Sequence, residues 1–572
     1  MNSPPTKQQN TSAAVLLTLI AVPLVWSLWG AVAAGLDGAA WTTLFAEPQT
    51  WHALAMSLWT GLMSTLLAIA GAAWVLAATV GNAHAGGSMA RWLSPLLAVP
   101  HAAFAIGLAA LLAPSGWLLR LLSPWATGLD APPPWPTTQD PWGLGLIAVL
   151  AFKETPFLLW AALAHLQRPD VARRLQKELR LAHTLGYSER SAWWRVGWPQ
   201  LLPRLTAPLL AVLAYSLTVV DVALIIGPTS PPTLAVLAWQ WLQDADAATN
   251  AQGAAAAWLL AALLALCTAL AWAASRAGLW RKRWARGVHL TVPNTQHAHQ
   301  HARTNHPFKR PSKTSSDSPQ NSLLVGLLAA YLAVLLALLA GSVTGSWPFP
   351  QLVPESFTWA AWQSVLGSSR TVGTTVWLAL ASSTVALCWA VAWLELAPQR
   401  WQLRAQPLLT LPLVLPAVLW VVGLHRLALA WQLDTTSAGL WLAHTLACLP
   451  YVLLALQGPY TGFDARLGQV AATLGHGRWN FLLRVKWPLL RAALASGFAV
   501  GFAVSVAQYL PTLYVGAGRF NTVTTEAVNL AAGGQRSLTA AYGWLQWMLP
   551  VLVFALAARV GRPRRFKTLL RT

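Results

Sequence analysis

Ionisable side chains interrupt several long apolar stretches of this sequence, and four of them are candidates for chemistry. Lys153 and Glu154 are adjacent in one stretch, Asp221 lies in the next, and His101 lies in an earlier one, directly after a proline. An ionisable group in an apolar, lipid-embedded segment is costly, so such residues are candidates for a solute pathway. An acid such as Asp221 would attract a cation, for example a metal complex.

Each of these residues also has a structural interpretation. Lys153 and Glu154 lie less than a dozen residues into their stretch, which suits a structural pair or an interfacial position. Adjacent residues on a helix do not face each other, so each of the two needs a separate partner. Asp221 is equally compatible with a polar contact between helices or a place near the outer mouth. His101 is more typical of a packed, hydrogen-bonded interior histidine.

Gln508 and Tyr509 occupy roughly the position of Asp221 in the second part of the chain. We therefore group these two residues with Lys153, Glu154 and Asp221 as the candidate path residues.

The sequence offers no constellation typical of a catalytic or metal site. Its three cysteines all lie inside apolar stretches, which favours neither a disulfide framework nor a zinc site: Cys267, Cys388 and Cys448. Four histidines share a polar segment without a supporting Cys or carboxylate, so a solvated linker is favoured over a metal site there: His297, His299, His301 and His306. A G-x-x-x-x-G-K-[ST] phosphate loop is absent, so we do not expect this chain to hydrolyse ATP.

The composition is that of a lipid-embedded protein. Of the 572 residues, 56% are hydrophobic and only 10% are charged, whereas soluble domains carry about 25% charged residues. The 35 Trp residues agree with this, because Trp favours membrane interfaces. The net charge of +21 comes from Lys and Arg in short loops between apolar runs, which indicates membrane orientation rather than nucleic-acid binding.

Twelve apolar stretches are each long enough to cross a bilayer as a helix. They cover 13–35, 53–80, 92–113, 143–166, 206–227, 254–275, 322–343, 371–396, 406–430, 437–457, 493–514 and 538–558. The sequence therefore predicts an all-α membrane protein with about twelve transmembrane helices.

The Lys and Arg residues predict the orientation of these helices. They are concentrated in 167–204, in 276–320 and in the tail from 559, whereas 228–253 contains neither residue type. With the basic loops inside, both the N-terminus and the C-terminus are cytoplasmic.

The basic segment 277–320 is rich in Pro, Ser and His and lacks apolar periodicity, so it is predicted to be a cytoplasmic linker. It divides the chain into two pseudo-symmetric six-helix domains, 1–276 and 321–572. A solute pathway would lie at the interface between them. Pro100 with Gly107, and Pro416 with Gly423, form a repeated pair that favours a bent or closely packed third span in each half.

One polar, basic stretch occurs twice in the sequence, after the fourth span of each half. Residues 182–203 and 471–490 share Ala, Thr-Leu-Gly, Arg-Val and Trp-Pro at positions 289 apart. Gly186 and Gly475 are predicted to end a helix, because glycine readily adopts the left-handed conformation required there. Ser188 is predicted to cap a short second helix in the first copy.

That second helix is predicted to end before Pro199 in the first copy and before Pro488 in the second. It carries aromatic residues in both copies: Trp193, Trp194, Trp479 and Phe481. Exposed rings usually mark a partner site, although an amphipathic loop lying on the lipid surface is an alternative. Duplication at equivalent points favours a partner that is itself a symmetric pair.

The spacing resembles the EAA loop of binding-protein-dependent ABC importer permeases of the MetI-like type. The matching positions lie in loops 178–203 and 467–492: Ala182, Gly186, Pro199, Ala471, Gly475 and Pro488. In that family the loop docks into a groove of the ATPase subunit, and the resemblance implies that Trp193 and Phe481 belong to its coupling helix. Arg180 and Gln469 stand where the family has a Glu.

The resemblance covers essentially the whole chain, as two fused permease domains of the type found in thiamine and ferric iron importers. It implies a bacterial inner-membrane permease that works with an ATP-binding cassette ATPase dimer, which binds the ATP, and with a periplasmic solute-binding protein. It implies no cofactor in this chain and no nucleic-acid partner. The small solute is left open among thiamine, a thiamine precursor, ferric iron and polyamines.

Two other classes of function fit the sequence less well. A secondary active transporter can also have six plus six helices, but it has no need of the duplicated loop. A membrane-bound enzyme would need a catalytic cluster near one membrane face.

Overall fold

The computed structural model describes residues 7–79, 93, 95–166, 168–276 and 319–562. Nearly all of the predicted linker, with its four histidines, lies outside these described residues, as do the end of the tail and the start of the third predicted span. Within the described part the chain is built from helices, which confirms the all-α prediction. A helix bonds its own backbone N–H and C=O groups, as an environment without water requires.

The described helices of the first half are α1 (Lys7–Ala34), α2 (Gly38–Ala46), α3 (Pro48–Thr79), α4 (His101–Leu112), α5 (Trp117–Leu122), α6 (Leu144–Leu166), α7 (Pro169–Thr184), α8 (Glu189–Ala192), α9 (Trp198–Leu201), α10 (Thr206–Thr218), α11 (Asp221–Ile226), α12 (Leu234–Leu242) and α13 (Ala247–Arg276).

Those of the second half are α14 (Pro319–Gly341), α15 (Ala360–Gly367), α16 (Ser369–Leu396), α17 (Gln399–Thr410), α18 (Ala417–Ala430), α19 (Ser437–Thr461), α20 (Arg466–Thr473), α21 (Arg478–Phe481), α22 (Trp487–Ala507), α23 (Leu510–Gly516), α24 (Val523–Ala532) and α25 (Arg536–Gly561).

Among the described residues, 11 helical segments are long and apolar enough to cross a membrane. The segments 399–413 and 417–430 together make a twelfth, bent by 102° at the break that contains Pro416. The count agrees with the twelve predicted spans. The bend also confirms the prediction for the third span of the second half, and proline explains it, because it removes a backbone donor and disfavours a helical residue before it.

Two predicted spans end earlier than the sequence suggests. The prediction of continuous helices to 227 and 514 is wrong, because α10 stops at Thr218 and α22 stops at Ala507. The short helices α11 and α23 follow after breaks at equivalent places in the two halves. Pro511 favours the start of a new helix in the second half. In the first half Asp221 is the first residue of α11, and an acidic residue in the first turn stabilises a helix start.

The two halves interlock through their first and third spans. α1 packs against α18 of the second half, and α14 packs against α4 of the first. A Cβ on Gly423 would lie 2.0 Å from the Ser27 carbonyl oxygen, and a Cβ on Gly107 would lie 2.7 Å from the Val334 carbonyl oxygen. The repeated glycines therefore allow the backbones of opposite halves to approach closely, as predicted.

One continuous hydrophobic core contains residues of both halves. In it the ring of Phe104 on α4 lies 4.6 Å from that of Tyr331 on α14, between centroids. At one end of the bundle Arg120, on α5, reaches into the second half and donates to the carbonyl oxygens of Trp347, Pro348 and Gln351 at 2.7–2.9 Å. The interface between the halves is thus a packed interior, and it determines where the polar residues of both halves meet.

Candidate functional site

The first repeated loop turns sharply at Gly186, as predicted. Its φ is +86°, a value that residues with a Cβ rarely adopt. The N–H of Gly186 donates to the carbonyl of His183 at 3.0 Å, and that of Tyr187 donates to the carbonyl of Ala182 at 3.1 Å. These two bonds define a Schellman turn, which satisfies the last carbonyls of α7.

The second loop makes the same turn. Gly475 has a φ of +77°, and the N–H of His476 donates to the carbonyl of Ala471 at 3.0 Å. The motif alanine is therefore the residue whose carbonyl closes the turn, and in both copies its side chain is buried. The spacing Ala-x-x-x-Gly has a direct geometric reason in this chain.

The segment after each turn is longer than predicted. Ser188 caps α8 by accepting from the N–H of Ser191, as predicted. The helical segment then runs through Pro199 to Thr218 instead of ending before the proline. A π-helical turn at 193–197 precedes Pro199, and 482–486 forms the equivalent turn before Pro488. The wider turn accommodates a proline that a regular α-helix would exclude.

The prediction that the aromatic rings after the turns are exposed is wrong for Trp193. This ring is only 2% exposed, and its Nε1 donates to the Ala73 carbonyl at the end of α3, at 3.2 Å. Phe481 is half-buried and packs edge-on against Phe463, 6.2 Å between centroids. Trp479 alone of these aromatics is largely exposed, at 68%. Trp193 and Phe481 therefore anchor the loops rather than offer a surface.

The exposed apolar residues lie on the turns themselves. Leu185 and Leu474 directly precede the turn glycines and are 70% and 69% exposed. Leu181 and Val470, one helical turn earlier at equivalent positions, are exposed as well. The four residues form two matching apolar knuckles. The repeated Thr-Leu-Gly was the sequence signal for these exposed residues. The prediction instead assigned the exposed surface to the neighbouring tryptophans.

Glu178 connects two helices of the first loop through hydrogen bonds. Its carboxylate accepts from Arg174 at 3.0 Å on the same helix and from the side-chain amide of Gln200 on α9. Burial alone would raise the pKa of Glu178, but the hydrogen bonds from Arg174 and Gln200 outweigh burial and hold that pKa below its usual range. The carboxylate is therefore charged at neutral pH and joins the two helices on either side of the turn.

A polar cluster lies beside the break between α10, which carries Tyr215, and α11, which begins at Asp221. The Nε2 of His101 lies 3.0 Å from the Oε1 of Glu154, and the His101 ring lies 4.5 Å from that of Tyr215, between centroids. Asp221, the first residue after the break, is within electrostatic reach of His101. The cluster thus brings together Glu154 and Asp221 with His101, which was predicted to be a packed interior histidine, and with Tyr215, for which no role was predicted.

Lys153 does not join this cluster. Its Nζ is buried and donates to the carbonyl oxygens of Val99 at 2.5 Å and Leu96 at 3.2 Å, just before α4 begins. The prediction that Lys153 and Glu154 need separate partners is confirmed, and Lys153 has the structural role.

The second half contributes two residues beside the break. The hydroxyl of Tyr509 lies 3.2 Å from the Oδ1 of Asn529, and Tyr509 is within electrostatic reach of Asp221. The amide of Gln508 donates to the Val504 carbonyl. In the described part of the chain, no three His, Cys, Asp or Glu side chains converge in a way that could hold a metal ion.

Comparison with known proteins gives the family. No family profile matches the chain. The chain is 35% identical over 553 residues to the inner membrane ABC transporter permease protein YnjC of Escherichia coli, covering 96% of this chain and 95% of that protein. The chain belongs to the inner-membrane ABC transporter permeases. This permease is thus a transport subunit and not an enzyme, and its multi-pass helical fold agrees with an inner-membrane location.

Shorter relatives match parts of this permease. The molybdenum transport system permease protein ModB of Azotobacter vinelandii is 29% identical over 208 residues, covering 33% of this chain and 92% of ModB. The spermidine/putrescine permease protein PotC of Haemophilus influenzae is 24% identical over 147 residues, covering 26% of this chain and 57% of PotC. Nearly all of ModB aligns with a third of this permease, which supports two fused permease domains.

Proposed function

We propose that this permease is the membrane subunit of an ABC importer, in which a separate dimer of ATPase subunits drives inward movement of a small cationic solute. The single observation that carries the proposal is the pair of equivalent turns at Gly186 and Gly475, each presenting an exposed leucine. A surface made twice from the same local geometry suits a partner made of two equal subunits.

The two turns lie on the same side of the membrane if the bent pair counts as one span. Six of the twelve candidate spans then separate them along the chain, and an even number returns the chain to the same side. The loops that carry both turns are rich in Lys and Arg, which supports a cytoplasmic position for the turns and for both termini. A solute-binding protein would then dock on the opposite face.

The polar cluster beside the break between α10 and α11 supports a cationic solute. Glu154 and Asp221 are carboxylates within reach of the same histidine, and in a partly desolvated site they would attract a positive charge. The ring of Tyr215 adds a face to which an organic cation would bind. Thiamine and ferric iron, implied by the resemblance to their importers, are both cationic, as are the spermidine and putrescine named for PotC.

ATP turnover and uptake in proteoliposomes test this function. The purified permease alone should hydrolyse no ATP, because it lacks a phosphate loop. With a cognate ATPase dimer and solute-binding protein added, uptake of labelled thiamine, ferric iron or spermidine should require ATP. An ATPase subunit whose Walker lysine is replaced is the control. Uptake by the permease alone, driven by an ion gradient, would instead establish a secondary transporter.

A further inference from the structure

A mostly buried ion pair attaches the second loop to a neighbouring span. The Nζ of Lys486, at the end of the π-helical turn before Pro488, lies 2.8 Å from the Oε1 of Glu395 near the end of α16. The two side chains are 15% and 9% exposed. At this burial the pair is poorly screened by water, and losing one partner leaves an uncompensated charge.

Two further contacts strengthen this attachment. The Lys486 ammonium lies 4.8 Å from the ring centroid of Tyr460, in range of a cation–π interaction. Arg478, which begins the short helix after the turn, donates to the backbone carbonyl of Glu395 at 2.8 Å. Both ends of the segment 478–486 are therefore attached to one residue of α16.

The first loop is attached to the corresponding span by different chemistry. There the Nε1 of Trp193 donates to the Ala73 carbonyl of α3, and the Arg190 guanidinium lies 4.9 Å from the Trp74 ring centroid. Gly197 occupies the position that Lys486 has in the second loop. Each loop is thus fixed to the second span of its own half, through a tryptophan in one case and an ion pair in the other.

We propose that Glu395 and Lys486 are positioning residues that transmit movement of the ATPase from the second loop to α16. The loop already continues into α22, so the ion pair makes two spans move with the loop instead of one. The proposal rests on the function proposed above. Two roles are then distinct. The knuckle at Leu474 binds the ATPase, and the ion pair transmits the movement of the ATPase to α16.

The test compares uptake per ATP hydrolysed in reconstituted complexes. Glu395→Gln and Lys486→Met should keep the ATPase bound but lower this ratio at least about five-fold, the lower end of usual coupling effects. Lys486→Arg keeps the charge and the ring contact and should restore most of the ratio. Glu355→Gln, which changes an exposed carboxylate away from the loops, is the matched control.

Each outcome is decisive because the ratio is measured on purified complexes. An unchanged ratio in Lys486→Met and Glu395→Gln would overturn the inference while leaving the proposed function intact. Loss of the bound ATPase from the variant complexes, or a lowered ratio that Lys486→Arg fails to restore, would also overturn it. If the unaltered permease retains no ATPase, the proposed function itself fails, which is a distinguishable result.

Discussion

A permease carrying Gly186→Val together with Gly475→Val is expected to insert normally and yet to lose its ATPase subunits. Both glycines have a positive φ, +86° and +77°. A Cβ at either position would meet nothing within 4 Å, so the cost is conformational rather than steric crowding. That cost is roughly 1–2 kcal/mol per residue for an ordinary side chain and more for a β-branched one.

The strain should be relieved by opening the turn, which would move Leu185 and Leu474 away from their partner surfaces. ATPase co-purification and uptake should each fall by about ten-fold or more in the double variant, since 1.4 kcal/mol corresponds to ten-fold. Gly477→Val is the matched control, because this glycine lies in the same loop with open space around it and an ordinary φ of −66°. A double variant that holds the ATPase at wild-type levels would show that these turns are not coupling elements.

Asp221→Asn should abolish most transport of a cationic solute without preventing insertion. Asparagine keeps the size of the side chain, but it removes the carboxylate that would pair with a cationic solute near His101 and Glu154. A charged contact of this kind contributes about 1.5–3 kcal/mol, so uptake should fall roughly ten- to one-hundred-fold. The measurement is the initial rate of uptake, at equal membrane abundance, of the labelled solute that the unaltered permease transports.

Asp246→Asn is the matched control for this variant. Asp246 also lies beside a helix start, where its carboxylate accepts from the N–H and the hydroxyl of Thr249 at 2.9 Å. It is exposed, and these hydrogen bonds lower the pKa of Asp246. Both variants therefore replace a carboxylate at a helix start by an amide of the same size, but only Asp221 lies in the polar cluster. If Asp221→Asn transports a cationic solute as well as Asp246→Asn does, Asp221 has a structural role only.

The spans and the repeated turns could be predicted because their signals are local. A run of apolar residues long enough to cross a bilayer needs no tertiary contact to be recognised, and a glycine four residues after a repeated alanine indicates a turn by itself. The breaks after Thr218 and Ala507 were missed because apolar composition continues through them. Length and hydropathy do not distinguish one long helix from two short ones separated by a break.

The roles of individual side chains depended on contacts distant in sequence. Trp193 suits an exposed docking surface as well as a buried anchor, and only the approach of Ala73, 120 residues away, decides between them. Likewise, because adjacent residues on a helix do not face each other, the sequence indicated that Glu154 needs a partner other than Lys153. It did not indicate that this partner is His101, 53 residues away. Lys486 and Glu395 gave no sequence signal, because charged residues near span ends are common.

Cross-linking from the two knuckles tests the central claim most directly, namely that each turn holds one ATPase subunit. Leu185→Cys and Leu474→Cys would be made singly and together in a permease whose three native cysteines are replaced, and treated with a short thiol-to-amine cross-linker in the assembled complex. Each single variant should yield a product with one ATPase subunit, and the double variant a product with two. Failure of both single variants to cross-link, in complexes that still transport with ATP, would contradict the account.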